Sequence, residues 1–318
     1  MKTSIFSLSL LLTAKFTTPT WAVVNHLPDS QPDEKVSQPH PERQLAALNR
    51  AIGAEFSGIK DFPYWDHVGM VGMGSGIYLG DGYVLTSTHV GCFPFRMHDG
   101  SAYEPDYKSW RVFNNGGASK SDLAVFRVRY GKASSLAKLG VLPIGSGQRG
   151  EGNPVLLLGT GFTQSARPLM LSSQGTVLSV LGYRVQPQRS VAWGINRETH
   201  ELDRPVRTLR EFSTRCFTTH FERSPFAGQA ADGDSGGAAF AYNREAARWE
   251  LAGCIIAVSQ ERDSVAFGSR TFLGDLGQYA SQVPTSTTFS ATARVSVPSL
   301  VDFVEPIQAR PTAVQRDK

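Results

Sequence analysis

The sequence lacks three features that would point to a common functional class: a long apolar stretch, a metal-ligand motif and a patch of like charge. Beyond the N-terminus, no run approaches the about 18 apolar residues that a membrane-spanning helix needs, so no membrane anchor is expected. The three cysteines form no CxxC pair and no cluster with histidine, so neither a metal nor another cofactor is predicted. The 32 basic residues are scattered among 28 acidic ones, which argues against a nucleic-acid site and indicates a solvated surface.

Segments with helical periodicity are also scarce, whereas short strand-like segments are common. The 318 residues include 31 glycines and 18 prolines, a composition typical of a turn-rich chain. The apolar segments 76–79 and 83–86 flank Gly80-Asp81-Gly82, which is a strong hairpin signal. Further strands are expected at 65–73, 123–128, 154–159, 176–181 and 251–258. Together they predict an all-β barrel or sandwich, with the Arg-rich segment 184–215 as a surface insertion.

The N-terminus has the features of an export signal. Met1-Lys2 precedes an apolar stretch, and Thr20-Trp21-Ala22 provides small residues for signal peptidase, so residues 1–22 are predicted to be a signal peptide. Residues 23–50 are polar and contain prolines, as in a pro-segment or linker. We therefore expect a secreted or periplasmic protein in which disulfide bonds can form.

The stretch Gly233-Asp234-Ser235-Gly236-Gly237 fits the nucleophile motifs of two unrelated classes of hydrolase. As G-x-S-x-G it matches the nucleophile elbow of an α/β-hydrolase, in which the catalytic histidine follows the serine in the chain. No histidine follows Ser235 here, because the last of the seven is His220. The α/β-hydrolase interpretation is therefore excluded, and the chain order His, Asp, Ser is left.

Residues suited to that order are present. A serine hydroxyl needs a base to take its proton, and the base needs a buried carboxylate to fix its tautomer. His89 follows the strand-like segment 83–86, and Asp122 stands at the edge of another strand, where burial is expected. Asp99 and Asp106 are rival carboxylates, but both lie in polar, loop-like sequence, so Asp122 is preferred.

These segments resemble motifs of the trypsin-like (chymotrypsin-fold) serine peptidases, in particular exported members of bacterial type. Residues 83–89 resemble W-V-L-T-A-A-H of that family, residues 122–125 its D-I-A-L, and residues 232–237 its nucleophile loop. Residues 249–253 are similar to the strand that follows that loop, and residues 293–304 to the closing strand and C-terminal helix. The likeness runs from about residue 51 to 308, interrupted by the Arg-rich segment.

The resemblance implies two six-stranded antiparallel β-barrels, at about 51–145 and 146–297, then a short helix at 298–308 and a tail at 309–318. It implies that Ser235 is the nucleophile, that His89 is the general base and that Asp122 orients His89. The N–H groups of Gly233 and Ser235 would form the oxyanion hole. The expected partner is a protein or peptide substrate, and the expected state is a monomer without cofactor.

The resemblance also indicates the residues of a specificity pocket. Gln229 lies six residues before Ser235, where the family places the pocket base, and a neutral side chain there makes cleavage after basic residues doubtful. Ile256, Val258 and Ser290 are the expected pocket walls. Ala231 replaces the cysteine that the family has before its nucleophile, so the disulfide that braces its pocket is not expected.

Two questions stay open at the level of sequence. Many members of the family are zymogens, and cleavage after Arg50 would free Ala51, whose ammonium would pair with Asp234; alternatively, Arg50 is an exposed residue of a linker. The competing functions are a catalytically silent binding protein and an esterase-type serine hydrolase on the same fold.

Overall fold

The computed structural model describes residues 24–25, 41–59, 61–115, 119–145, 150–173, 176–201, 205–209, 211–259, 264–266 and 268–284. In these residues the chain is predominantly β-sheet. The signal peptide, the helix 298–308, the tail 309–318 and Ser290, all predicted from the sequence, lie outside them.

The described residues form one α-helix, four short 3-10 helices and twenty strands. The helix α1 spans Pro41–Glu55, and the 3-10 helices span Trp65–His67, Thr88–Val90, Leu136–Lys138 and Leu276–Gln282. The strands in chain order are β1 (Val24–Asn25), β2 (Val68–Val71), β3 (Gly74–Gly80), β4 (Tyr83–Thr86), β5 (Phe95–Arg96), β6 (Ala102–Tyr103), β7 (Pro105–Asn114), β8 (Lys120–Val128), β9 (Pro154–Gly159), β10 (Phe162–Ser173), β11 (Thr176–Arg189), β12 (Ala192–Glu201), β13 (Val206–Thr208), β14 (Phe212–Thr214), β15 (Cys216–His220), β16 (Gly228–Gln229), β17 (Ala238–Asn243), β18 (Arg248–Val258), β19 (Ser264–Ala266) and β20 (Arg270–Asp275).

The first half of the chain forms a seven-stranded antiparallel sheet in the order β6-β5-β2-β3-β4-β8-β7. Its central hairpin, β3–β4, is the one predicted from Gly80-Asp81-Gly82. Asp81 and Gly82 both have positive φ, 51° and 83°, as a tight turn between right-twisted strands requires. The strand β4 leads directly into the 3-10 helix that carries His89.

The second half closes into a six-stranded antiparallel barrel in the order β12-β15-β20-β18-β17-β9. The predicted all-β class is confirmed, and the C-terminal barrel has the expected six strands. In the N-terminal half, the structure has the seven-stranded sheet where the resemblance implied a second six-stranded barrel.

The Arg-rich segment 184–215, interpreted from its charge as a surface insertion, contributes to the barrel. Its strand β12 pairs with β9 and β15, and Trp193 and Ile195 are buried. The β13–β14 hairpin in the same segment packs on β8. Two further strands, β10 and β11, form a long hairpin that β19 extends to a three-stranded sheet. The charged residues of this segment hid its buried alternation from the sequence pattern.

The helix α1 is packed into the core, although the sequence indicated a linker as far as residue 50. Leu48, Ala51 and Ile52 are fully buried in the same cluster as Trp249 of β18. Glu55 at the end of the helix pairs with Arg197 of β12 at 2.7 Å. Residues before 51 that the sequence assigned to a linker are thus part of a helix that packs on the core.

No disulfide is present, because Cys92, Cys216 and Cys254 are all free thiols. Cys216 and Cys254 lie opposite the same residue, Gly274, on the two strands that flank β20. Two strand spacings amount to about 9.5 Å, beyond the reach of a disulfide. Burial raises the pKa of both thiols, and it raises that of Cys92 to about 11, so none is poised as a thiolate nucleophile.

In the part of the chain that the structure describes, no helix is both long and apolar enough to cross a membrane.

The packing of α1 gives a stability prediction. Leu48→Ala removes a fully buried side chain from the core and is expected to lower the free energy of unfolding by about 2–5 kcal/mol. The control is Leu209→Ala, at a leucine that is 67% exposed, with an expected effect within about 0.5 kcal/mol. Urea denaturation measures both, and equal effects would contradict the assignment of α1 to the core.

Candidate active site

His89 and Asp122 are held together by two hydrogen bonds. The His89 ring nitrogen Nδ1 lies 2.7 Å from Asp122 Oδ2, and the His89 backbone N–H donates to Asp122 Oδ1 at 3.0 Å. Asp122 is fully buried in β8, and the His89 side chain is 21% exposed. Because a carboxylate accepts, Nδ1 carries the proton and Nε2 keeps the lone pair that a general base needs.

The Arg-rich segment supplies two further hydroxyls to Asp122, one to its carboxylate and one to its backbone N–H. Thr208 at the end of β13 donates its Oγ1–H to Asp122 Oδ2 at 2.6 Å. Thr214 at the end of β14 accepts from the backbone N–H of Asp122 at 2.7 Å. The β13–β14 hairpin therefore holds both the carboxylate and the backbone N–H of Asp122. Neither threonine was recognisable from the sequence. A charged segment without periodicity gives no sign that its hydroxyls will contact a buried aspartate.

The loop 232–237 that carries Ser235 is fixed by hydrogen bonds to its carbonyl groups. The carbonyl of Asp232 accepts from Phe162 N–H at 2.8 Å, and that of Ser235 accepts from Ser75 N–H at 2.7 Å. The carbonyl of Gly233 accepts from the Ser75 hydroxyl at 3.1 Å. Gly237 N–H closes the loop on the carbonyl of Asp234 at 2.8 Å. Each carbonyl from residue 232 to 235 thus has a hydrogen-bond donor.

Two N–H groups of this loop are left over. Among the hydrogen bonds of the described residues, neither Gly233 N–H nor Ser235 N–H is a donor. In a trans peptide the N–H points opposite to the preceding carbonyl, so the bonds to the carbonyls of Asp232 and Asp234 fix the direction of both N–H groups. The φ of +87° at Gly233 is accessible at low cost only to glycine. Two fixed, unengaged donors two residues apart can stabilise an oxyanion.

The His89 and Ser235 loops share hydrogen-bond partners. The carbonyl of Ile255 accepts both from Gly236 N–H at 2.7 Å and from the Ser87 hydroxyl at 2.8 Å. Ser75, whose N–H binds Ser235, accepts at its own carbonyl from Thr86 at 2.7 Å. These shared partners bring the two loops to one place. Among the described residues no hydrogen bond joins His89 Nε2 to the Ser235 hydroxyl; in unliganded enzymes such bonds are often long.

Asp234 is fully buried and its carboxylate accepts from two backbone N–H groups, those of Gly161 at 2.7 Å and Ala231 at 2.8 Å. Burial raises the pKa of Asp234 to about 7. Ala51, the candidate partner after cleavage, lies within the helix α1 and is also buried. In the described part of the chain no ion pair or hydrogen bond joins the two, and activation by cleavage after Arg50 stays a prediction.

The candidate pocket residues are partly described. Gln229 in β16 is fully buried, and among the described residues neither its amide oxygen nor its amide nitrogen has a hydrogen-bond partner. Ile256 is buried and Val258 is half-buried, both in β18. A buried amide without partners is costly, and the assignment of Gln229 to the base of a specificity pocket stays a prediction.

The rival carboxylates are used elsewhere. Asp99 accepts from Ser101 N–H and from the Ser135 hydroxyl, which lowers its pKa. Asp106 accepts from Lys108 N–H at 3.3 Å, in the same turn. Neither bonds to His89. In the described residues no group of three or more His, Cys, Asp or Glu side chains could hold a metal ion.

The crowding around Gly236 gives a second prediction. A Cβ atom at Gly236 would lie 2.0 Å from the carbonyl oxygen of Ser75, in a backbone conformation with φ +87°. Gly268 also has φ +87°, with nothing within 4 Å of its Cβ position, so Gly268→Ala is a matched control for backbone strain. Gly236→Ala is expected to destabilise by at least about 2 kcal/mol more, because backbone must move. Thermal unfolding compares the two, and equal losses would contradict the crowding.

No protein-family model and no curated protein matches the chain. Among solved structures, it is similar to the inactive form of the Rv3671c protease of M. tuberculosis H37Rv, with 14% identity, a TM-score of 0.43 and coverage of 78% of this chain and 97% of that one. It is similar to the NS6 protease from murine norovirus 1, with 14% identity, a TM-score of 0.39 and coverage of 71% and 100%. For the HtrA-type protease AlgW with decapeptide, the identity is 17%, the TM-score 0.37 and the coverage 64% and 48%.

At these identities and TM-scores, the similarity says nothing about the activity of this chain. The proposal for its activity rests on the residues of the site. Each of these three solved structures is of a protease.

Proposed function

We propose that the chain is a serine endopeptidase that hydrolyses peptide bonds through an acyl-enzyme. One observation carries the proposal. The pair of buried Asp122 and His89 and a nucleophile loop with two unengaged N–H groups are tied together through Ser75 and through the carbonyl of Ile255. These contacts support a site in which the base, the nucleophile and the oxyanion donors of acyl transfer act together.

In the acylation step, Ser235 Oγ forms a bond to the scissile carbonyl carbon while His89 Nε2 takes the hydroxyl proton. The carbonyl oxygen becomes an oxyanion, which accepts hydrogen bonds from Gly233 N–H and Ser235 N–H. The carbonyl then re-forms, the C–N bond breaks, and His89 gives its proton to the leaving amine. The product of this step is an ester of Ser235 and a free amine.

In the deacylation step, water replaces the amine. His89 Nε2 takes a proton from water as its oxygen adds to the ester carbon, and returns it to Ser235 Oγ as that bond breaks. Through both steps the Asp122 carboxylate stabilises the charged imidazolium and keeps Nδ1 protonated. Thr208 holds the same carboxylate oxygen that His89 Nδ1 contacts, so it sets the direction of the His89 ring.

The substrate is a protein or peptide, with a polar, uncharged or medium-sized apolar residue before the scissile bond. Gln229 supports this preference, because its buried amide offers a donor and an acceptor without a net charge. A basic side chain would find no countercharge from Gln229. Export by the predicted signal peptide would make the protein secreted or periplasmic.

The proposal is tested with a fluorophosphonate probe that labels activated serines, together with casein as a protein substrate. Labelling and casein hydrolysis by the wild type are expected, and Ser235→Ala is expected to abolish both. The control is Ser57→Ala, at an exposed serine, with no expected effect. Failure of the wild type to label after any processing supports a catalytically silent binding protein. Labelling with hydrolysis of p-nitrophenyl esters but not of casein supports an esterase.

A further prediction concerns Thr208. Thr208→Val keeps the shape of the side chain but removes the donor to Asp122, and a hydrogen bond to a charged group contributes about 1.5–3 kcal/mol. We expect labelling to slow by about 10–100-fold, and Thr208→Ser to restore most of the rate. Thr199→Val is the control, because the Thr199 hydroxyl bonds only to Thr218. Wild-type labelling by Thr208→Val would show that Thr208 does not position the carboxylate.

A further inference from the structure

Arg189 is the last residue of β11, and it lies at the base of the β10–β11 hairpin. Its register partner across that hairpin is Phe162, the first residue of β10. The guanidinium is half-buried, and burial lowers its pKa, opposed by the attraction of Asp234. The base of the hairpin therefore stands beside the nucleophile loop, and both of its end residues face that loop.

The guanidinium joins the N-terminal sheet to the C-terminal barrel. Arg189 Nε donates to the carbonyl of Thr160, just after β9, at 2.9 Å. Nη1 donates to the carbonyl of Gly72 at 3.0 Å and Nη2 to that of Gly74 at 2.7 Å, both in the β2–β3 turn. The three nitrogen atoms of one planar guanidinium thus donate to three different carbonyls. The single ammonium of lysine cannot reproduce this geometry.

The hairpin base also fixes the two peptide groups that flank Gly233. Phe162 N–H binds the carbonyl of Asp232, and Arg189 Nη2 lies 3.5 Å from the carbonyl of Gly233. A Cβ atom at Gly233 would lie 3.3 Å from Arg189 Nε, so the guanidinium packs directly against this residue. The carbonyl at 3.5 Å also accepts from the Ser75 hydroxyl. Rotation of the peptide group that carries Gly233 N–H would break the bond from Phe162 N–H to the carbonyl of Asp232, and Arg189 holds the next peptide group at the Gly233 carbonyl.

Arg189 also supplies a positive charge near the buried carboxylate of Asp234. The charged groups that act on Asp234 are Arg189, whose attraction lowers the pKa, and Asp232, whose repulsion raises it. The remaining partners of the carboxylate are the N–H groups of Gly161 and Ala231. A cation is thus already present in the uncut chain, where the sequence suggested the freed ammonium of Ala51.

We infer that Arg189 is a positioning residue that holds the oxyanion loop of the uncut chain in its working form. This inference rests on the proposed function, because an oxyanion loop has a role only if Ser235 is acylated. It assigns to the β10–β11 hairpin the support of the oxyanion loop that a new N-terminus at Ala51 would provide in a zymogen. The loop is then competent without a new N-terminus at residue 51.

The test measures the rate of fluorophosphonate labelling and the melting temperature in the full-length wild type and in three variants of it. Arg189→Met removes the charge and the donors, and we expect labelling to slow by about 10–100-fold, comparable to the loss of an oxyanion-hole donor. Arg184→Met is the matched control, since Arg184 is exposed on the same strand β11, and should label at the wild-type rate. Arg50→Gln, which blocks cleavage after residue 50, should also label at that rate.

The pH dependence separates positioning from a general loss of structure. Asp234, whose pKa burial raises to about 7 with Arg189 present, is protonated at low pH, where loss of the nearby cation costs little. As the pH rises its carboxylate becomes charged, and the cost of losing Arg189 grows. The rate ratio of wild type to Arg189→Met should therefore grow between pH 5.5 and 8.5. With Asp234→Asn as the background, the same ratio should not change with pH.

The outcomes distinguish the inference from the function on which it rests. A wild type that does not label contradicts the proposed function itself. A wild type that labels, with Arg189→Met equally fast or with a ratio independent of pH, overturns the role of Arg189. Loss of labelling in Arg50→Gln overturns the competence of the uncut chain. If Arg189→Met does not fold, Arg189→Lys decides: slower labelling by at least about tenfold supports the geometric role, and the wild-type rate overturns it.

Discussion

The candidate site depends on the way in which the carbonyl groups of residues 232–235 are satisfied. Their partners come from the N-terminal sheet through Ser75, from the start of β10 through Phe162, and from within the loop through Gly237. A buried carbonyl without a partner is costly, so the loop has few alternative conformations. Among the described residues, the carbonyls of residues 232–235 all have donors, whereas the N–H groups of Gly233 and Ser235 have no acceptor.

The hydrogen bonds of these carbonyl groups also hold the N-terminal sheet against the C-terminal barrel at the nucleophile loop. Ser75 stands near the start of β3, and its backbone and hydroxyl bind residues of both loops. The positive φ of Gly233 and Gly236 allows the nucleophile loop to approach this strand closely, since a Cβ at Gly236 would collide with Ser75. Glycines of the motif that look like simple turn formers in the sequence are needed for this contact between the two halves.

Much of the fold was predictable, because period and turn chemistry are local. The hairpin β3–β4 and the strand β9 occur where the apolar segments and Gly80-Asp81-Gly82 indicated. The helix α1 and the strand β12 were not recognised, because their polar and basic residues mask a buried face that only the partner surface defines. Export would allow disulfide bonds, but the register of β20 sets Cys216 and Cys254 too far apart for one to join them. Such distances follow from strand pairing, which residue types alone do not specify.

By itself, the sequence determined the all-β class, the chain order of His89, Asp122 and Ser235, and the glycines that shape the loop around the serine. These depend on neighbours in the chain and on which residue types are missing, above all a histidine after Ser235. Only the tertiary structure decided which groups hold that site. Thr208 and Arg189 reach it from the Arg-rich segment, through bonds across 86 and 44 residues of chain. A hydroxyl or guanidinium declares its role only when folding brings a buried carboxylate or carbonyl within about 3 Å.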